Sequence, residues 1–221
     1  YEKLCNNFKG QYIHLGVDTK LSINPFDLPV GETVPTSQKI KFLLSLVEIM
    51  TKENEQEQLG KLEKSLIESA IEEVYRTSQS PRLSDLKEIL LHHSEKSLVR
   101  IGKILKSWCG DSAYGKFVDQ PTTLKLNSHI VSFDLKGMDD YKDLQSACLF
   151  IITDFIWREV QQDRSKMKFL VFDECWKLME NDSAQIFISE VFRTFRKYMA
   201  SVIAISQNMD DFAKSKIASA I

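Results

Sequence analysis

The sequence predicts an α/β fold, a parallel sheet with helices packed on it, carrying an all-helical insertion between its first two strands. Three observations lead there. Through the second half of the chain, short apolar runs alternate with amphipathic helical stretches, as strands joined by helical crossovers do. One run, Lys168-Phe169-Leu170-Val171-Phe172, has four consecutive apolar positions and suits a strand buried on both faces. Residues 37–109 instead carry helical periodicity with no strand candidate among them.

Composition sets the bounds. The chain has 221 residues, enough for one sizeable domain or a domain with an inserted subdomain. At 43% hydrophobic and 27% charged it reads as a globular protein. The net charge of −2 supplies no basic field, so charge gives DNA or acidic lipid no support as a partner. Cys5, Cys109, Cys148 and Cys175 lie far apart with no CxxC pair, which argues against a disulfide framework or zinc site and for a reducing cytosol. The four histidines form no HExxH, and no GxSxG elbow is present. No signal peptide or 18-residue apolar run appears. The chain opens at Tyr1 without Met and stops within a helical pattern, so the expectation is a piece of a longer protein.

In order along the chain, residues 1–8 read as a helix end stopped near Gly10, and residues 11–15 as a short strand. Pro25 and Pro29 force extended backbone through residues 21–29, a connection rather than an element. Pro35-Thr36-Ser37 is a helix start. Phe42, Leu43, Leu46, Val47 and Met50 make one helical face, and Leu62, Leu66, Ile67, Ala70, Ile71, Val74 and Tyr75 another. Ser84 is the expected cap of a third helix, and residues 98–108 hold a fourth. Residues 110–127 read as loop. Residues 130–135 are the next strand, followed by a long helix with Leu144, Ala147, Cys148, Ile151, Ile152, Phe155, Ile156 and Val160 on one wide stripe. The 168–172 strand follows, then a helix over residues 183–198, a strand over 201–206 and the start of a further helix near Asp210 or Asp211. This order predicts a sheet domain of residues 1–35 and 118–221, with residues 36–117 as the inserted all-α subdomain and its connecting loop.

The chemistry concentrates where the third strand ends. Asp173 and Glu174 follow it directly, at the carboxyl edge of a parallel sheet, where such sheets bind ligands. An Asp there can hold magnesium, and a Glu beside it can orient or deprotonate water for attack on a phosphate. The plainer alternative is a buried strand running into a helix cap. Gln207 ends the next strand, where its amide can sense a terminal phosphate or simply cap a helix. Arg193 and Arg196, with Lys197, stand on the helix between these strands at spacings that share a face; they suit triphosphate charge or a solvated helix end equally well. Two patterns mislead. Gly110-Asp111-Ser112-Ala113-Tyr114-Gly115-Lys116-Phe117 fits GxxxxGK, but Phe117 replaces the hydroxyl residue, no apolar strand precedes it and Pro121 follows. Asp134 also ends an apolar strand, but Leu135 follows it in place of a second carboxylate, so a structural or secondary role is expected.

Phe172-Asp173-Glu174-Cys175-Trp176, then Phe192-Arg193-Thr194-Phe195-Arg196-Lys197, then Ser206-Gln207-Asn208-Met209-Asp210-Asp211-Phe212 resemble the TraC family of conjugative-transfer ATPases. These are the VirB-type pilus-assembly motors of type IV secretion systems. Ser206 stands where that pattern usually has Thr. Ile23-Asn24-Pro25-Phe26-Asp27 and Ala113-Tyr114-Gly115-Lys116-Phe117 are similar to further family segments. The resemblance implies a RecA-like nucleotide-binding domain that uses ATP and Mg, with Asp173 on the metal, Glu174 activating water, Gln207 sensing the γ-phosphate and Arg193 and Arg196 as finger or sensor residues. It implies a hexamer working with other secretion subunits at the cytoplasmic face of the bacterial inner membrane. The family's P-loop, GxxGxGK[ST], lies upstream of the segment matching Tyr1 and is absent here, so these 221 residues alone are expected to be catalytically incompetent. Two rival readings share much of this pattern: a DNA-translocating ATPase of the FtsK/HerA kind and a non-catalytic scaffold of the secretion channel.

Overall fold

A computed structural model of the chain describes residues 1–16, 18–52, 58–173 and 182–205, the side chains of residues 182–184 excepted. The predicted final helix, Glu174 and Gln207 lie outside the described residues. The described elements run α1 Glu2–Asn7, β1 Gln11–Gly16, α2 Ser37–Thr51, α3 Lys61–Thr77, α4 Leu83–Leu91, α5 Lys96–Leu105, α6 Gly115–Val118, β2 Val131–Gly137, α7 Lys142–Gln162, β3 Lys168–Phe172, α8 Asp182–Phe195 and β4 Ala200–Ala204. Two parallel strand pairs result, β1 with β2 and β3 with β4. Parallel neighbours need long crossovers. Here β1 reaches β2 through helices α2–α6, β2 reaches β3 through α7, and β3 reaches β4 through α8.

The local chemistry explains most boundaries. Thr36 caps α2, its hydroxyl accepting from the Lys39 amide at 3.2 Å. The α4 cap differs from the expected one. Arg82 takes that place, its amide donating to the Asp85 carboxylate at 2.9 Å. Ser84 sits inside the first turn, its amide donating to Asp119 at 2.9 Å, so a distant carboxylate replaces the cap that Ser84 was expected to supply. The 110–127 loop contains the short α6.

One hydrophobic core joins the helices to the strands. Phe42 of α2 meets Phe150 of α7 and Phe187 of α8, with ring centres 5.0 and 5.4 Å apart, and Phe150 meets Phe187 at 5.2 Å. Trp157 of α7 stacks on Phe195 of α8 at 5.3 Å, and Phe192 of α8 packs on Phe172 of β3 at 5.4 Å. Helix α2 therefore touches both helices that flank β3 in the sequence.

The expectation that β3 is buried on both faces holds on one face only. Leu170 and Phe172 face α8, but Phe169 is 64% exposed and Val171 51%. Phe172 packs on Phe192 of α8, and α8 lies against both β4 and α7, so the covered face is the one turned toward α8.

Candidate functional site

Asp173 follows the last residue of β3 and is exposed. Beside it, the ladder extends one step past β4, with the Ile205 amide donating to the Phe172 carbonyl at 2.8 Å. The third and fourth strands thus end level with each other, as expected for two tips serving one ligand. The Tyr1 hydroxyl donates to Asp173 Oδ2 at 2.5 Å, which places the amino end of α1 at the tip of β3. That bond, reinforced by burial and the carboxylate charge, pushes the Tyr1 phenol above its ordinary value.

The arginines do not converge with Asp173 inside this chain. Arg193 lies in the last turn of α8 and Arg196 opens the short 3₁₀ turn Arg196–Tyr198; both are exposed. Met199 follows, and its carbonyl accepts from the Lys168 amide at the amino end of β3. Arg196 thus stands near the opposite end of β3 from Asp173, on the order of 15 Å away at the usual rise per strand residue.

Asp134 does not end its strand as expected: it lies inside β2, which continues through Leu135 and Lys136 to Gly137, and its surroundings differ from those of Asp173. Tyr12 donates to its Oδ2 at 2.5 Å, His14 Nδ1 lies 3.2 Å from the same oxygen, and the Lys136 amide donates to Oδ1 at 3.0 Å. Burial pulls its carboxyl upward, but the bonds from Tyr12, Lys136 and His14 outweigh this and hold it below the usual range. The same bond, more than burial, pushes the Tyr12 phenol up to about 12. Gly16 and Gly137 face each other where this edge ends. A Cβ on Gly137 would come within 3.1 Å of His14 Nε2 and 3.0 Å of the Leu15 carbonyl, so the missing side chain makes room for the imidazole.

The GxxxxGK pattern folds on itself and offers no phosphate cradle. The Gly110 amide donates to Asp119 Oδ2 at 2.7 Å, Phe117 is buried, and a Cβ on Gly115 would lie 2.5 Å from the Cys109 carbonyl carbon.

Sequence reasoning missed two clusters. Tyr12 and His14 alternate along β1 and therefore share a face, a signal that was available. The second had none: Lys39 of α2 is buried, its ammonium 2.8 Å from Asp154 of α7, with Arg158 Nε 3.3 Å from the same carboxylate. Burial lowers Lys39 to about 8 despite Asp154. Cys5, Cys109 and Cys148 are buried and free, and burial pushes the Cys109 thiol up to about 12, so neither redox nor nucleophilic use is favoured there.

A parallel α/β sheet with an acidic strand tip at its carboxyl edge fits a nucleotide-binding fold, and the family match and structural likeness place it in the RecA-like P-loop class. Residues 86–221, more than half of the chain, match the TraG P-loop domain, and the chain belongs to that family. Over its whole length it is 25% identical to protein TraC of Escherichia coli (strain K12), and over 96% of its length 25% identical to the type IV secretion system protein virB4 of Brucella abortus biovar 1. It spans about a quarter of either relative, 26% in both cases. Among solved structures it resembles VirB4 of Thermoanaerobacter pseudethanolicus, with a TM-score of 0.80, 24% identity, all of this chain and 62% of that one covered. It also resembles plasmid coupling protein TrwB in complex with ADP and Mg2+, with a TM-score of 0.53, 12% identity, 94% of this chain and 55% of that one covered. The resemblance drawn from the motifs and these comparisons agree on a TraC/VirB4-type chain. Among the described residues, no helix is long and apolar enough to cross a membrane.

Proposed function

We propose that this chain is part of the ATPase motor domain of a type IV secretion or conjugation system, which couples ATP hydrolysis to pilus assembly and transfer of DNA or protein. The observation that carries the reading is the exposed Asp173 carboxylate at the tip of β3, level with the end of β4, in a chain of the TraG P-loop family. Asp173 is the proposed magnesium ligand. A lone exposed carboxylate suits an ion that keeps several waters and takes its other ligands from phosphate. Magnesium, when bound, would draw charge from the phosphate oxygens. Glu174 is proposed to take the proton of the attacking water, and Gln207 to hydrogen-bond the terminal phosphate. Arg193 and Arg196 are proposed to act across a subunit boundary, because within the subunit they stand at the far end of β3 from Asp173.

A hexamer at the cytoplasmic face of the bacterial inner membrane, in contact with other secretion subunits, belongs to the same proposal. So does the division into a sheet domain of residues 1–35 and 118–221 and an inserted subdomain of residues 36–117. These 221 residues alone are proposed to hydrolyse ATP negligibly, since the backbone amides and lysine of a phosphate loop are not among them.

The test uses the parent protein. Glu174→Gln should abolish hydrolysis and leave ATP binding in place; unchanged turnover would remove Glu174 from its role. In mixed hexamers, Arg196→Ala and Glu174→Gln subunits should complement each other if the arginine acts in trans. Salt-dependent DNA binding with DNA-stimulated hydrolysis would favour a DNA pump, and a parent that binds no ATP would favour a scaffold.

A further inference from the structure

Besides Arg193 and Arg196, another guanidinium stands at the amino edge of the β3–β4 pair. Two turns meet there. Residues 163–167 lead from α7 into β3, and the 3₁₀ turn Arg196–Tyr198 leads through Met199 into β4. Lys168 fastens the two together. Its amide donates to the Met199 carbonyl at 2.9 Å, and its ammonium donates to the carbonyls of Asp163, Lys166 and Tyr198.

Arg164, in the first turn, is held by a ring of the second. Its guanidinium carbon lies 4.4 Å from the centre of the Tyr198 ring, and its Nη2 donates to the Tyr198 hydroxyl at 3.2 Å. Tyr198 is itself seated edge-on against Trp157 of α7, with ring centres 5.1 Å apart. The one acid of the first turn is already engaged: Asp163 accepts from the amide and hydroxyl of Ser165 and pairs with Lys166 at 3.0 Å. Among the described residues, Arg164, Arg196 and Lys197 have no carboxylate partner, and all three are exposed. An exposed arginine ordinarily gives up its rotamer freedom only when it meets a partner. Here the fork is ordered beforehand, with most of its five donors unused, as suits a phosphate. Tyr198 belongs to the same turn as Arg196, so a subunit boundary that carries Arg196 to a neighbour's nucleotide carries Arg164 with it.

We propose that Arg164 is a further trans-acting residue of the ATPase: from the amino edge of one subunit it binds the phosphates of the nucleotide at the Asp173 edge of the next, with Tyr198 as its positioning residue. The inference rests on reading the chain as part of a secretion ATPase in which Arg196 acts across a subunit boundary. It makes the nucleotide site incomplete without a second copy of the chain.

The test follows binding of a fluorescent, non-hydrolysable ATP analogue to the parent, both assembled and diluted to single subunits. Arg164→Gln should weaken binding about tenfold or more in the assembly and leave it within about twofold in the single subunit. Arg164→Lys should recover only part of the loss, because the planar fork is gone. Tyr198→Phe keeps the ring and removes the hydroxyl, so it should give a smaller loss, again in the assembly alone. Equal affinity of Arg164→Gln and wild type in the assembly would overturn the proposal. So would an equal loss in single subunits, which puts the residue in cis, or a parent that never assembles. Weaker binding of Arg164→Gln to vesicles containing anionic lipid, with nucleotide affinity unchanged, would overturn it as well and make this edge a membrane contact. A wild-type parent that binds no nucleotide would refute the motor reading and this inference together. A wild type that hydrolyses ATP, beside an Arg164→Gln variant of unchanged affinity, would refute the inference alone.

Discussion

Two aspartates lie on the parallel strands of this molecule, one inside β2 and one just past the end of β3, and their surroundings differ. Within β2, Asp134 receives Tyr12 and the Lys136 amide, with His14 against it, so both its oxygens are engaged by its own sheet. At the tip of β3, Asp173 is exposed and, among the described residues, receives one side-chain bond, from Tyr1 beside the start of α1. A carboxylate with both oxygens satisfied contributes to the fold and has little left for a ligand. One held by a single exposed contact can exchange that contact for a metal ion. The difference lies in position as well as neighbours: Asp173 follows the last residue of β3, whereas β2 continues past Asp134 to Gly137.

The largest effect should separate the two aspartates directly. In the parent, Asp173→Asn or Glu174→Gln should lower the hydrolysis rate by about a hundredfold or more, with the unfolding midpoint almost unchanged. Asp134→Asn should do the reverse, costing about 1–2 kcal/mol in chemical denaturation and leaving turnover per folded molecule within about threefold. An Asp134→Asn protein that is stable and inactive would break the comparison and place that residue in the site.

Protonation offers a second way to sharpen it, through a buried cation unlike the partners of either aspartate. Lys39 carries its ammonium into the core beside Asp154, and burial lowers it to about 8 from 10.5. The unfolded chain therefore binds the proton more tightly than the folded one. Stability contributed by this group rises as pH climbs from about 8 to about 10.5. The stability difference between wild type and Lys39→Met should grow in favour of wild type across that window, by on the order of 2–3 kcal/mol. A difference that stays flat with pH would show that Lys39 is not buried as a charge.

The fold class, the strand candidates and the placement of the helices between them were legible because each rests on periodicity. The Asp173 tip was legible because an apolar run leads straight to it. Three things were not. The Arg82–Asp85 cap of α4 was hidden because Asp119, more than thirty residues away, takes the Ser84 amide. The Lys39–Asp154 pair joins α2 to α7 across residues with no pattern relating them. The exposed face of β3–β4 was hidden because an apolar strand reads the same whether one of its faces is covered or both.

Tyr12 gives a smaller effect with a sharper readout. Tyr12→Phe removes a bond to Asp134 that is part of what holds that carboxyl low. Its folded pKa lies below its unfolded one, so the stability it contributes is present above the unfolded value and lost as pH falls through the folded one. The variant should therefore lose some stability near neutral pH and show less further loss on acidification than wild type. An ultraviolet titration should also lose the tyrosine pushed up to about 12. Unchanged spectra would show that the Tyr12–Asp134 bond does not persist in solution.

The smallest expected effect bears hardest on the β3 tip. Tyr1→Phe deletes the one side-chain bond that Asp173 receives among the described residues, on an exposed surface where such a bond contributes little stability. If Asp173 is a metal ligand, its phenol partner competes with the ion, and removing it should lower the magnesium concentration that gives half-maximal turnover in the parent. A two- to threefold shift, roughly half a kcal/mol, is expected, with maximal turnover nearly unchanged. A rise in that concentration would instead mean that Tyr1 orients the carboxylate for the ion. In that case the start of α1 belongs to the site, and the contrast between the two aspartates narrows, because each would then be held by a tyrosine from another part of the fold.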